Sequence, residues 1–379
     1  MPAIAYQGAH GSNDYPLHFA FFEAMESRGL LDQIDFFLDP STEYAYCKKL
    51  IRRFPQLQLT SSTSLAGLAV HAYARSGARG GGLFAKVNRR YDAVIEGPGG
   101  RIHPRYLGNG DIFWRYPTTE RRAIVFHSIE GGILRMPRTA ASIAGADLIL
   151  ARSTGSAAIA RQAGAPRVHA TSDIVFSQQA ADGIERPGGA VALRSPNAQP
   201  GAAYIRNVEE IVQYLADLRR PIDCTSIEPP LTDFLDAAAR RNGFFVLNGD
   251  EMYMPFLAKR DFVISCRLHT TILALKAGNR KVIQFGVEEG TQKLKQIFGD
   301  LGLTQLTIHP RESLNRQTIQ SFVEGDDRLD DAQVRESLRQ ARESVLGGLD
   351  ILEEWLLSLG KGQRTSSPPA TASAQTLPA

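Results

Sequence analysis

The chain has 379 residues, 43% of them hydrophobic and 22% charged, an ordinary soluble composition and more chain than one core normally holds, so two domains are expected. Its 43 basic and 40 acidic residues leave a net charge of +3, too balanced for a dedicated nucleic-acid binder, and no basic block carries interleaved aromatics. Cys47, Cys224 and Cys266 are widely spaced and odd in number, which excludes a disulfide framework and a CxxC metal site and fits a reducing cytoplasm.

The opening MPAIAYQGAHGSNDY has no charged segment followed by an apolar core, and no apolar run approaches about 18 residues, so neither a signal peptide nor a membrane span is expected. Ala3-Ile4-Ala5-Tyr6 reads as a first strand running into the loop Gln7 to Asp14. Ser12, Asn13 or Asp14 is available to cap a helix over Leu17 to Glu26. That loop, with His10 and Asn13 in it, either holds a polar ligand by its backbone N–H groups or uses its glycines for geometry alone; it is not a G-x-G-x-x-G element. Ile34 to Leu38 is a second strand. Tyr44 to Arg53 and Ser64 to Ala74 read as helices, the latter ended by Gly80-Gly81-Gly82. Asp92 to Glu96 is a strand ending in Gly97-Pro98-Gly99-Gly100, which predicts open backbone at the sheet's carboxyl edge. Ala123 to Phe126 is the next strand, leading to His127-Ser128 and then Glu130-Gly131-Gly132 in a loop. Asp147 to Leu150 ends in Ala151-Arg152-Ser153, and Ser153 or Thr154 caps a helix over Ser156 to Gln162 that stops at Gly164. Strand after strand ends in a polar or Gly-rich loop, which is α/β alternation with one functional edge.

Ala170-Thr171-Ser172-Asp173 precedes Ile174-Val175-Phe176, and Ala180 to Gly189 reads as an interdomain linker. Alternation then resumes: strand Ala190 to Leu193 ending at Arg194, helix Val208 to Leu218, strand Ile222 to Thr225, helix Leu231 to Arg241, strand Phe244 to Leu247, and a short helix around Tyr253 to Leu257. Helix Thr291 to Phe298 and a last strand, Leu303 to Ile308, follow further on. From Asp331 to Leu359 the spacing of Val334, Leu338, Val345, Leu349, Leu352 and Leu356 predicts a long helix. Ser366 to Ala379 has no apolar period and reads as disordered. The expected division is an N-terminal α/β domain over 1–182, a C-terminal α/β domain over 183–360 and a disordered tail over 361–379.

The most informative stretch is Asp261 to Gly286, DFVISCRLHTTILALKAGNRKVIQFG. A buried-strand run, Phe262-Val263-Ile264, is followed by Arg267-Leu268-His269, a helical pattern that stops at Gly278, and a second apolar run, Val282 to Phe285. This βαβ unit puts an Arg and a His at the carboxyl end of a strand beside a helix N-terminus, where anions bind. A carboxylate or phosphate ligand is expected there.

The residues Ser265-Cys266-Arg267-Leu268-His269-Thr270, the helix through Ala277-Gly278 and the strand after it resemble the polysaccharide pyruvyl transferase family, whose members carry an S-x-R-L-H element. Asp92 to Gly100 is similar to that family's strand-then-glycine segment. Arg152-Ser153 with Ser156, Gly164 and Asp173 is similar to its R-x-x-S…G…D segment, and Ala192-Leu193-Arg194 to the strand that opens its second half. The chain departs from the pattern at Ser12-Asn13-Asp14-Tyr15 and at Pro98. The resemblance implies two Rossmann-like domains facing across a cleft, a glycosyltransferase-B-like α/β fold. It implies transfer of pyruvate from phosphoenolpyruvate to a sugar of a cell-surface polysaccharide or its lipid-linked precursor, forming a ketal and releasing phosphate, with no metal or other cofactor. A cytoplasmic enzyme of that kind would contact the inner membrane face only peripherally.

Under that reading His269 and Asp173 are the catalytic candidates, His269 as the acid that protonates the enol ether. Arg267, Arg194 and Arg152 would bind the donor, since a guanidinium fork grips carboxylate or phosphate bidentately. Leu268, Thr270, Ser156, Gly99, Gly100, His10, Asn13 and His127 complete the expected substrate-binding set. Two alternatives stand beside it: a nucleotide-sugar-dependent glycosyltransferase of the same fold, with Glu288 or Glu289 at the ribose, and a non-catalytic glycan-binding or assembly protein.

Overall fold

The computed structural model describes residues 3–7, 15–38, 50, 52–61, 91–104, 112–113, 121–178, 183–193, 202–226, 239–244, 246–247, 249–286 and 288–362. Two parallel sheets carry the architecture. The first contains β1 (Ile4–Gln7), β2 (Ile34–Leu38), β3 (Gln58–Ser61), β4 (Ala93–Glu96), β5 (Gly99–Ile102), β6 (Arg122–Ile129), β7 (Leu148–Ala151) and β8 (Val168–Ala170). Its order is β3-β2-β1-β4-β6-β7-β8, with β5 paired to β6. The second contains β9 (Gly189–Leu193), β10 (Ile222–Ser226), β11 (Val246–Leu247), β12 (Phe262–Ser265), β13 (Val282–Gly286) and β14 (Ile308–Pro310), in the order β11-β10-β9-β12-β13-β14. A parallel sheet is covered on both faces, so its strands are apolar throughout rather than alternating. β9, β12 and β13 are buried at every position.

The helices between them are α1 (Tyr15–Ser27), α2 (Pro137–Ala144), α3 (Thr154–Gln162), α4 (Ala202–Asp217), α5 (Leu268–Lys276), α6 (Glu288–Asp300), α7 (Arg316–Glu324) and α8 (Asp331–Gly362). Their starts follow local chemistry. Ser153 caps α3 by accepting from the Ser156 N–H at 3.1 Å, and Asn315 caps α7 by accepting from the Thr318 N–H at 3.0 Å. Pro137 opens α2, where its missing N–H costs nothing. None of the described helices is long and apolar enough to cross a membrane.

Each sheet reverses its strand order once, between β1 and β4 and between β9 and β12. Ligand crevices open at such points, outside the carboxyl ends of the strands. β12 therefore delivers Arg267 and His269 to the switch point of the second sheet. Across the junction, the carboxyl end of β6 carries Ser128, that of β7 leads to Arg152, and the segment after β8 carries Asp173.

The halves share one apolar core. A single buried cluster includes Tyr6, Phe21 and Phe176 of the first half together with Ile272, Leu275 and Leu349 of the second. The apolar stripe of α8 (Val334, Leu338, Val345, Leu349, Leu352, Leu356) is buried as its spacing predicts. Its later part lies on the first half: a Cβ on Gly348 would come within 2.7 Å of the Thr171 methyl, and Arg28 pairs with Asp350 at 3.0 Å. Residues 183 onward of the expected linker are pinned rather than loose. The Gly183 N–H donates to the Ala277 carbonyl at 3.1 Å, and Glu185 bridges to Lys259.

Several expectations change. Gly99 and Gly100 do not form an open loop; they begin β5, which runs parallel to β6 with Gly99 opposite His127. His127 and Ser128 are inside β6, not after it, because Phe126 takes a positive φ of 52° and the β6–β7 register shifts between Val125 and His127. That bulge turns the strand end and lengthens it. Leu303 to Ile308 is not a strand; β14 begins at Ile308. β3, β5, β8, α2 and α7 come in addition. The expected helix Ser64 to Ala74, most of Tyr44 to Arg53 and of Leu231 to Arg241, the loop with His10 and Asn13, Arg194, and the tail from 363 lie outside the described residues.

Gly188, at the entry to β9, has φ +87°, and a Cβ there would sit 1.8 Å from the Pro221 carbonyl oxygen. Gly243 has φ +78° with nothing within 4 Å. In urea titrations Gly188→Ala is expected to lose about 3 kcal/mol, strain plus a backbone collision, and Gly243→Ala only about 1 kcal/mol, strain alone.

Candidate active site

The turn after β12 is knitted by hydroxyls. Ser265 Oγ accepts from the Arg267 N–H at 3.1 Å and lies 2.6 Å from Thr270 Oγ1, while Thr270 and Thr271 both donate to the Arg267 carbonyl, at 2.9 and 3.2 Å. These bonds fix the backbone of Arg267, the N-cap of α5. Its side chain makes no capping bond, and the first turn of α5 has no acid. The positive end of a helix normally attracts anions. Here it carries Arg267 and His269 instead, so the charge that would balance it must come from elsewhere.

Within the chain, part of it comes from Asp173. His269 Nε2 lies 3.4 Å from Asp173 Oδ2, and Arg152 donates to the same oxygen at 3.1 Å. Asp173 Oδ1 accepts from the Val175 N–H at 3.1 Å. The carboxylate is fully buried and Arg152 is 5% exposed. Burial alone would raise the Asp173 pKa. The charge and hydrogen bond of His269, the Arg152 guanidinium and the Val175 N–H outweigh it and bring it from 3.8 to about 2. Asp173 therefore remains a carboxylate at all ordinary pH and orients the ring.

Behind this pair the polar chain continues. Arg152 Nε donates to Ser128 Oγ, the His127 Nδ1 is 2.8 Å from the Ser128 carbonyl oxygen, and His127 Nε2 is 3.7 Å from Glu96 Oε1. Glu96, His127 and Ser128 are all buried. The line from Glu96 to His269 runs along the carboxyl ends of the first sheet and crosses to the second.

The expected site residues thus separate into groups. Arg152, Asp173 and His269 converge, with Arg267 two residues from His269. Thr270 and Ser156 are buried and bonded within the protein: Thr270 to Ser265 and Arg267, Ser156 to Ser153 and to both backbone groups of Ile129. Leu268 packs against the shared core. His127 is a fully buried strand residue paired with Glu96, behind the site rather than in an acceptor loop. Gly99 is buried in β5, and Cys266 is half-buried. The sequence reading missed Ser128 and Glu96. The available signal was a polar residue closing an apolar run, as Glu96 closes Ala93-Val94-Ile95. No cluster of His, Cys, Asp and Glu among the described residues is arranged to hold a metal ion.

No protein-family model matches the chain, and no curated protein sequence matches it. Solved structures do. S. aureus MnaA, in a co-structure with UDP, superposes with a TM-score of 0.61 at 10% identity over 95% of this chain and 98% of that one. A UDP-N-acetylglucosamine 2-epimerase from Rickettsia bellii gives 0.58 at 10% over 96% and 99%. LpCGTa in complex with UDP gives 0.54 at 13% over 97% and 100%. The chain has the glycosyltransferase-B fold. In a glycosyltransferase-B fold two Rossmann-like halves face each other across a cleft, and the Arg152–Asp173–His269 contact spans that junction here.

Because the Asp173 pKa is depressed, its contribution is complete above about pH 4 and is lost as pH falls through about 4 toward 2. Asp173→Asn leaves Arg152 buried without its carboxylate and is expected to cost about 3 kcal/mol at pH 7. Denaturant unfolding should show the gap between wild type and variant narrowing by roughly 1 kcal/mol between pH 6 and pH 3. A pH-independent gap would contradict the assignment.

Proposed function

We propose that the protein is a group transferase that binds an anionic donor at the start of α5 and transfers to a sugar hydroxyl in the cleft. The observation that carries this is the His269–Asp173 contact at 3.4 Å beside the Arg267 N-cap, an Arg and a His at a helix end that has no acid in its first turn. Such an end suits a compact, multiply charged anion. The donor we infer is phosphoenolpyruvate and the reaction pyruvyl transfer to a glycan or its lipid-linked precursor. What supports it is local: the Ser265 to Thr270 element and the Arg152 to Asp173 segment, two of the places where the chain resembles polysaccharide pyruvyl transferases, meet at the junction.

In this reading Arg267 holds the donor's phosphate or carboxylate. His269, kept in place by Asp173, gives a proton to the methylene carbon while an acceptor hydroxyl oxygen bonds to the adjacent carbon. A second hydroxyl then bonds to that carbon and its bond to the phosphate oxygen breaks. One hydroxyl proton replaces the one His269 gave and the other leaves with phosphate, so the products are the ketal and inorganic phosphate.

A nucleotide sugar is the second reading, and the fold comparison lends it weight, since MnaA and LpCGTa are described in complex with UDP. Fold alone does not fix substrate, and at about a tenth identity the site chemistry has to decide. Purified protein should release phosphate from phosphoenolpyruvate in the presence of oligosaccharide acceptors. Arg267→Ala should raise KM tenfold or more, and His269→Ala should lower kcat about 100-fold or more, with unchanged circular dichroism. Binding of UDP or a nucleotide sugar by calorimetry, with none of phosphoenolpyruvate, would overturn the pyruvyl reading in favour of the second.

A further inference from the structure

A cavity of about 560 Å³ opens between α1, the 174–177 turn, α5 and α8, at the opposite end of α5 from Arg267. Lys276, the last residue of α5, lines it and is 8% exposed. Its ammonium carries three donors, and its one hydrogen bond goes to the Val175 carbonyl at 2.8 Å. Arg342 of α8 also lines the cavity, and its Nε donates to the Ser177 carbonyl at 3.3 Å. Among the described residues neither cation forms an ion pair. Of the other charged groups on this wall, Arg28 pairs with Asp350 and Glu353, while Glu23 accepts from Gln178 at 3.0 Å and supplies Lys276 with a longer-range opposite charge. An adjoining cavity of about 310 Å³ shares Lys276 and Arg342 and adds Arg280, Arg335 and Arg339, each of which has an acid of α8 as partner. Among the described residues Lys276 and Arg342 are thus the two cations between the cavities with no acid at ion-pair distance, and Glu23 and Asp173 act on Lys276 only from farther off.

A buried ammonium satisfied by one neutral carbonyl is costly to keep. Its charge survives there: burial pulls its pKa down and the charges of Glu23 and Asp173 hold it up, at about 8. Beside Ser27, Ser177 and Gln178 the wall presents an apolar part, formed by Leu257, Leu273, Leu346 and Leu349, with Leu257 47% exposed although it faces the cavity. We propose that Lys276 and Arg342 form a binding site for a small amphiphilic anion, a phosphate or carboxylate head on an apolar body. The head completes the donors of Lys276 and Arg342, and the body covers the leucines. The volume suits a small organic molecule. Because α1 belongs to the first half and α5 to the second, such a ligand touches both halves while leaving the cleft open. The site stands apart from Arg267 and does not rest on the donor proposed above.

Calorimetry with hexyl phosphate, inorganic phosphate and hexanol tests this on the full chain. Saturable one-to-one binding of hexyl phosphate is expected, tighter than either fragment. Arg342→Ala and Lys276→Met should each weaken it tenfold or more, and Arg267→Ala should leave it unchanged. Arg342 is exposed, so its variant keeps the test open if Lys276→Met fails to fold. Absence of saturable binding, or equal affinity in wild type and Arg342→Ala, overturns the site. Loss of binding in Arg267→Ala places the ligand in the cleft and overturns it as well. Equal affinity for inorganic and hexyl phosphate overturns the apolar part of the assignment.

Discussion

One carboxylate that stays charged in the interior sets the geometry of the junction. Asp173 has no exposed surface, yet it is held ionised by Arg152, by the Val175 N–H and by His269 from the facing half. Removing any of these leaves the buried charge less compensated, which costs more than a surface ion pair returns. The cost is contained because each donor comes from rigid structure. Arg152 follows β7, Val175 lies in a tight turn, and His269 sits in the first turn of a helix whose entry is fixed by Ser265, Thr270 and Thr271. The site is therefore specified by strand ends more than by loops, as expected where parallel sheets put all their carboxyl ends on one edge.

Much of this was legible in the sequence because parallel strands are buried on both faces and read as short apolar runs. Val282 to Phe285, Ala190 to Leu193 and Ile34 to Leu38 identify themselves that way, and the stripe from Val334 to Leu356 names its helix. Arg152, Asp173 and His269 could be singled out one at a time as polar groups after such runs. Their convergence could not, since it depends on how 100 or so intervening residues fold, and no local pattern encodes that. Gly99 and Gly100 were misread for a physical reason: glycine signals a turn when judged locally, but pairing with β6 overrides that preference. The extension of β6 through His127 rests on the positive φ of Phe126, which a bulky residue rarely adopts and no sequence rule anticipates. β3 and α7 are polar, short elements whose stability comes from the neighbours they pack on, so they too leave little local trace.

The breadth of the structural likeness and its thinness in sequence have one cause. A doubly wound sheet needs apolar strands, helices on both faces and right-handed crossovers, and many sequences meet those demands. Coverage of nearly the whole chain at about 10% identity is what that latitude produces. What distinguishes one such protein from another is the short list of polar residues at the strand ends. In this chain that list includes an Arg at a helix N-cap, a His in the first turn, and a buried Asp across from it.

The position of α5 ties these features together. It is 9 residues long, about 13 Å from end to end. Both its ends are fastened to the same stretch of the first half: His269 near its start faces Asp173, and Lys276 at its end donates to the Val175 carbonyl. Between those contacts Ile272, Leu273, Ala274 and Leu275 are buried in the core that the halves share. A rotation of one half against the other that moved α5 would have to give up the charged contact, the ammonium bond and apolar burial together. The orientation of His269 and the angle between the halves are consequently set by one group of contacts. A helix fixed at both ends also explains why its first turn can tolerate Arg267 and His269 without an acid. The position of α5 does not depend on a favourable dipole at that end, because the contacts of His269 with Asp173 and of Lys276 with the Val175 carbonyl and the packing of its middle hold it there.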